Sequence, residues 1–346
     1  MKIYANLHVI SLVGMLFLFS IVFQLESEEH SGKFVVAIRE PLQNEDGFRA
    51  ITRTLERGRD TSNWWEYYQY NICSMNPDGT DFQRLTDDGV SYNPRWSPDR
   101  EFIAYISGIE RSKSLYVMSA DGTERVQFIK RAYDIHDYWW SPKSNAILVV
   151  VEIDRPKDRL ENWEVTLEGK IKRWRSERWA KGWLHWDQNG EKVQEPNRRL
   201  LEILPKGISW PEWSPDRRWI AFKTDGLLAL AEPDVVSMGR SWFLQLDEPP
   251  CGNIEEWSPD GKQVLFYTSG EICTVSVEKG EIQNYRNLSL YPGREATWSP
   301  DGNYVAFIGS DSNRRRTSEI FTIHVESGKM EQITSTIYDF INLHWR

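Results

Sequence analysis

Five residues, Trp298-Ser299-Pro300-Asp301-Gly302, followed by the apolar run Tyr304-Val305-Ala306-Phe307, constrain this chain more than anything else in it. The phrase returns as Trp257-Ser258-Pro259-Asp260-Gly261, Trp213-Ser214-Pro215-Asp216-Arg217 and Trp96-Ser97-Pro98-Asp99-Arg100. Trp140-Ser141-Pro142-Lys143 is a looser copy, and Trp345-Arg346 carries only the opening letter. Successive marker tryptophans lie 44, 73, 44, 41 and 47 residues apart. A period in the forties with strand-like content points to the blades of a β-propeller, each a four-stranded sheet. Ser-Pro-Asp-Gly suits a type I turn, with Pro presetting its second position and Gly tolerating positive φ at its fourth. Arg100 and Arg217 replace that Gly, which predicts a strained turn at a cost near ~1 kcal/mol.

Each copy divides into strands A to D. Strand A ends at the marker Trp, and B is the apolar run after the turn, as in Phe102 to Ile106. Strand C is a second alternating run such as Leu115 to Met118, and D follows a Gly turn, as in Arg125 to Ile129. In the 73-residue gap, Trp186-Asp187-Gln188-Asn189-Gly190 aligns with Met118 to Gly122, a C strand turning into D. The third blade is therefore expected to have C near 183–187 and a B–C insertion at about 154–181. The first blade has its own B–C insertion at about 41–65. Residues 33–37 read as strand B without an A, which Ile341 to Trp345 would supply. The expected fold is all-β: a six-bladed propeller over residues 33–346 whose shared blade takes strand A from the C-terminus and B to D from the N-terminus. Such closure removes the open edges that invite aggregation.

Residues 1–28 read as a targeting segment. Leu7 to Leu25 is almost wholly apolar, with Lys2 before it and Glu26, Glu28 and Glu29 after it. That polarity and length suit an N-terminal hydrophobic helix, either an uncleaved signal anchor or a cleaved signal peptide. A buried core helix is a third option. Either targeting option places the body outside the cytoplasm, in the periplasm or at the cell exterior. The net charge of −9 argues against nucleic acid as a partner, which needs a basic face. Three Cys make no disulfide framework. Cys73 and Cys273 occupy equivalent strand-C positions and read as core fillers, while a Cys251–Cys273 bridge stays open.

With these copies on the page, the chain resembles the TolB-type propeller repeat. Such repeats build the TolB propeller and the related N-terminal propellers of tricorn and dipeptidyl peptidase IV-like proteases. The resemblance runs from about Lys33 to Arg346 and implies the fold rather than an activity. TolB itself carries a mixed α/β domain before its propeller, for which no room is expected here, so its role in the Tol–Pal system is not implied. A protease is not expected either, since no Gly-x-Ser-x-Gly elbow occurs and the ring takes up the remaining residues.

In a propeller the B–C and D–A connections share one face of the disc, and the short A–B and C–D turns share the other. Loops on a rigid scaffold are where binding resides, so the face with the insertions is the expected binding surface. Its candidate residues are Trp163, Lys172, Arg173, Trp174, Arg175, Trp179, Arg314 and Arg315, with Arg and Trp among the commonest carriers of interface energy. They would grip a protein or a glycan. A solvated hairpin whose tryptophans lean on neighbouring blades is the plainer explanation of the same residues. His344 lies on an innermost strand and His136 just before another, but six His without a His-x-His pair are a weak signal for a metal site. No catalytic residue, metal or cofactor is assigned, and a monomer is expected. The leading reading is a non-enzymatic binding or scaffold propeller; the alternative is a carbohydrate-active lyase or hydrolase at the channel mouth.

Overall fold

The computed structural model describes residues 32–41, 68–109, 112–132, 134–154, 159–175, 184–186, 192–194, 209–216, 218–224, 227–232, 243–244, 252–268, 271–279, 281–285, 290–311, 318–336 and 338–346. These residues form six four-stranded antiparallel sheets and one two-stranded hairpin. Blade 1 contains β1 (Phe34–Pro41), β2 (Tyr68–Met75) and β3 (Gln83–Arg84). Blade 2 is β4 (Ser91–Trp96), β5 (Phe102–Ser107), β6 (Lys113–Ser119) and β7 (Val126–Ala132). Blade 3 is β8 (Asp134–Trp140), β9 (Ala146–Asp154), β10 (Arg159–Thr166) and β11 (Ile171–Arg175). The hairpin, β12 (Leu184–Trp186) and β13 (Lys192–Gln194), stands outside the blades. Blade 4 is β14 (Ser209–Trp213), β15 (Ile220–Thr224), β16 (Leu227–Ala231) and β17 (Phe243–Leu244). Blade 5 is β18 (Gly252–Trp257), β19 (Gln263–Thr268), β20 (Glu271–Ser276) and β21 (Ile282–Tyr285). Blade 6 is β22 (Leu290–Trp298), β23 (Tyr304–Asp311), β24 (Glu319–His324) and β25 (Met330–Gln332), after which β26 (Asp339–Trp345) returns to pair with β1.

The repeated phrase works as a buried hydrogen-bond clasp. Ser299 is 1% exposed; its Oγ donates to Asp301 Oδ1 at 2.5 Å and accepts the Tyr304 N–H at 2.9 Å. Asp301 Oδ1 also accepts the Asn303 N–H at 3.0 Å, so the carboxylate is spent within its own turn. Ser97–Asp99, Ser214–Asp216 and Ser258–Asp260 repeat the arrangement. In blade 3, where Lys143 replaces the Asp, Ser141 Oγ turns to Asn145 Oδ1 at 2.8 Å instead. Gly261 and Gly302 hold φ of 72° and 74° at the fourth position, and Arg100 holds φ of 66° there. The strain expected at Arg100 is present. Arg100→Gly is expected to raise stability by about 0.5–1 kcal/mol in urea unfolding; a loss would show that contacts of the Arg outweigh its backbone.

Apolar faces pack blade against blade. Val35, Ile72 and Leu85 of blade 1 meet Trp96, Ile103, Tyr105 and Met118 of blade 2. Further clusters join blades 2 and 3, 4 and 5, 5 and 6, and 6 and 1. Cys73 and Cys273 are buried in two of these clusters, the core-filling places expected for them. Burial pushes the Cys73 thiol up to about 12, so it stays protonated. Cys251 lies outside the described residues.

The last strand closes the ring. Phe34 pairs with Trp345, and their rings meet at 4.7 Å between centroids. Lys33 N–H donates to Arg346 O at 2.7 Å, and Arg346 N–H donates back to Lys33 O at 3.1 Å. Gly32 beside them has φ of 104°, and a Cβ there would lie 2.6 Å from Arg346 O, so only glycine fits the seam.

Blade 3 departs from the sequence-based expectation. Strand C is β10 and D is β11, so the stretch at about 154–181 is not a B–C insertion but largely part of the sheet. The long connection is D–A, residues 176–208, and the turn read at Gln188 to Gly190 joins β12 to β13 outside the blade. The physical reason is that β10 buries polar groups: Glu161, Asn162 and Glu164 are 6%, 4% and 8% exposed. Its sequence therefore looks like a solvated loop. In blade 1 the long connection does run from B to C, between β1 and β2, within residues outside the described set. Blade 4 has a longer C–D link than the other blades, residues 232–242. The apolar segment at 7–25 also lies outside the described residues. Among those described, no helix is long and apolar enough to cross a membrane.

Candidate functional site

The six A strands line the centre of the ring, and each has a register shift ahead of its marker Trp or of the equivalent position. Such bulges re-aim side chains, and here polar ones link neighbouring blades. Asn342 and Asn93 hold φ of 53° and 51° at their bulges, a conformation Asn tolerates. Asn342 donates its amide to Glu295 Oε1 at 3.0 Å and its backbone N–H to Glu295 Oε2. Its Oδ1 accepts the Asn93 N–H at 3.1 Å. A second layer uses the residue just before the marker. Glu256 Oε2 accepts Thr297 Oγ1 at 2.9 Å and the Trp298 N–H at 3.0 Å, while His344 Nδ1 accepts the Trp96 N–H at 3.3 Å. Arg95 donates to Tyr138 O and pairs with Asp137 at 2.9 Å.

Electrostatics in this ring are uneven. Burial pushes His344 down to about 3, helped by the charges of Arg346 and Arg95, so its imidazole is neutral. Glu212, next to Trp213, is pushed up to about 8, first by desolvation and then by Asp137, Glu256 and Glu255; Arg95 pulls the other way. Burial also raises Glu256 and Glu295, against the hydrogen bonds they accept. Glu212 thus holds a proton near neutrality inside the channel, a property common at functional sites but also produced by structural clusters. Sequence reasoning did not single it out. The available signal was its position before a marker Trp, equivalent to Glu256 and His344.

The face carrying the B–C and D–A connections presents basic groups set against aromatic rings and carboxylates. Arg39 lies 4.9 Å over the Tyr68 ring and pairs with Asp339. Lys113 lies 5.9 Å from the Tyr92 ring and 2.6 Å from Asp134 Oδ1. Of the candidate residues read from the sequence, Trp163 sits mid-strand in β10, partly buried against the core of blades 2 and 3. Arg173 stacks over it at 4.4 Å from the neighbouring β11. Lys172 is exposed on β11, the outer edge of the blade, where charge discourages edge-to-edge pairing. Trp174 and Arg175 end β11, opposite Asn162 and Glu161, where the chain leaves for the long D–A connection. Trp179, Arg314 and Arg315 lie outside the described residues. The structure thus brings Trp163 and Arg173 together on a strand pair rather than on a loop.

No family model matches the chain. Over 204 residues it is 28% identical to an uncharacterized peptidase, YuxL, of Bacillus subtilis (strain 168). That match takes in 55% of this chain but only 30% of the relative, so the chain spans under a third of it. Among solved structures, TolB from Acinetobacter baumannii aligns with 92% of this chain and 67% of its own, at TM-score 0.57 and 14% identity. The β-propeller domain of the Trilobed protease from Pyrococcus furiosus aligns with 78% of this chain and 88% of its own, at TM-score 0.56 and 15% identity. That domain is described as having an open velcro topology, whereas here β26 pairs with β1. At such identities the likeness concerns fold alone. Six four-stranded blades and the pairing of β26 with β1 make the described body a six-bladed β-propeller, similar in fold to the propellers of these two proteins.

Proposed function

We propose that this protein is an extracytoplasmic binding or scaffold propeller that recognises a protein or glycan through the face of its B–C and D–A connections. The observation that carries this reading is where the long connections fall. Residues 42–67 and 176–208 both join strands on that face, while the A–B turns on the other carry the short repeated clasp. Rigid blades holding variable loops on one side are the usual plan of a recognition surface. Cation–aromatic pairs at Arg39–Tyr68 and Lys113–Tyr92 supply the mixed charge and flat apolar area that both sugars and protein side chains use. An apolar anchor or signal at 7–25 would hold or deliver the body outside the cytoplasm.

The test is a crosslinking pull-down of the exported body from its own membranes, run beside a glycan array. Replacing Trp174, Arg175 and Trp179 together with Ala is expected to weaken capture at least ~10-fold, as loss of an interface anchor does. Unchanged capture of every partner would remove the rim from the proposal. A second reading, chemistry at the channel mouth, has one observation behind it: Glu212 titrating near 8 among other carboxyls. Turnover of an acidic glycan that Glu212→Gln abolishes would favour it.

A further inference from the structure

The geometry points to a site for a divalent transition-metal ion on blade 3, formed by Asp134, His136 and Glu152, at the face where β8 begins and β9 ends. One donor atom from each of the three lies within 4.8 Å of the other two. An ion bound at ~2.0–2.2 Å to each ligand tolerates donor separations up to about 4.4 Å across itself. Small side-chain rotations therefore suffice to close the set. The pair His136 Nε2 and Glu152 Oε2 already stands 3.1 Å apart, about the length of one edge of a coordination polyhedron.

Backbone structure explains how the set arises. Asp134 and Glu152 are directly opposite across the β8–β9 ladder. Two carboxylates facing each other in a sheet repel unless a cation lies beside them, a part that Lys113 plays for Asp134 here. Glu152 is 4% exposed and already has His136 as a partner, so its carboxylate is held in place before any ion binds. The shift in register between Ile135 and Asp137 falls at His136 and brings its ring onto Glu152. Lys113 reaches Asp134 Oδ1 from blade 2 at 2.6 Å. In the occupied site that contact orients Asp134 as an outer-shell partner and leaves its other oxygen to the ion. One imidazole and two carboxylates suit zinc, cobalt or manganese rather than a thiol-seeking ion. His136 is exposed, so solvent or a ligand donor can complete the coordination. This site, on strands β8 and β9, does not depend on the recognition reading above.

The experiment uses the full chain, free of any histidine tag, in mild detergent after chelator treatment. Cobalt(II) is titrated while visible absorption is followed, and zinc is then added as competitor. One equivalent of cobalt is expected to give ligand-field bands that zinc removes. His136→Ala is expected to weaken binding by more than ~10-fold, with circular dichroism of the metal-free variant confirming that it is folded. Glu152→Gln should do the same for binding, and His136→Ala alone decides the matter if the buried variant folds poorly. Absence of the bands in the parent chain overturns the site, as does cobalt bound equally well by His136→Ala.

Discussion

Trp345→Ala is expected to lower the free energy of unfolding by ~3–5 kcal/mol, the range for emptying a buried Trp site. For a chain of this size that corresponds to a melting temperature lower by roughly 4–7 °C. Trp345 is 2% exposed and packs on Phe34 among Val36, Cys73, Met75, Ala306, Ile308 and Ile320, so it sits between the blade that starts the chain and the blade that precedes its end. Its removal opens a cavity beside the β26–β1 pair, whose two strands come from opposite ends of the chain with no turn joining them. Differential scanning calorimetry checks the shift, and a drop worth less than ~1 kcal/mol would show that β1 keeps its place without the tail strand. Gly32→Ala attacks the same seam from the other side, because its new Cβ would strike the Arg346 carbonyl. Removing residues 339–346 should go further and leave β1 as an unpaired edge prone to association.

Glu212→Gln should stabilise the protein, and only at high pH. The sign follows from the direction of the shift. An unfolded Glu titrates near ~4.3, whereas Glu212 in the folded channel is pushed up to about 8. Between those values the folded state holds a proton that the unfolded state has lost, so stability falls as pH rises and levels off above about 8. Each pK unit is worth ~1.4 kcal/mol, and about three units of the shift fall between pH 5 and pH 9, so a loss on the order of 3–4 kcal/mol is expected. Gln keeps the shape and cannot ionise. The variant should match the parent at pH 5 and melt several degrees higher at pH 9. Glu256 and Glu295 are shifted in the same direction, so a smaller slope will remain in the variant. Equal slopes for the two proteins would mean that Glu212 ionises in the fold as freely as in water.

Most of the architecture was legible because the repeat states its chemistry locally. Ser, Pro, Asp and the residue after them form one clasp from side chains within a few positions of each other, and the same letters give the same turn in every blade that has them. The closing strand was legible for a related reason: Ile341 to Trp345 carries the letters of an A strand with no B strand after it. Blade 3 was misread because β10 breaks the pattern. Burial of Glu161, Asn162 and Glu164 removes the apolar alternation by which a strand is recognised, and the hairpin at 184–194 offered a more familiar text. Candidate site residues fared differently according to range. His136 was noticed, but its partner Glu152 comes from the next strand, and only the ladder register sets them side by side.

What the sequence by itself determined was the repeating unit, its period, the number of blades and the manner of closure. Each of these depends on hydrogen bonds and side-chain alternation among residues adjacent in the chain, so the information is written contiguously. The tertiary structure alone decided the contents of the channel, the protonation of Glu212, the placing of Trp163 beneath Arg173, and the meeting of Asp134, His136 and Glu152. Those features depend on distances between strands and between blades. They also depend on how much water reaches a charge once the ring has closed, and that quantity exists only after folding.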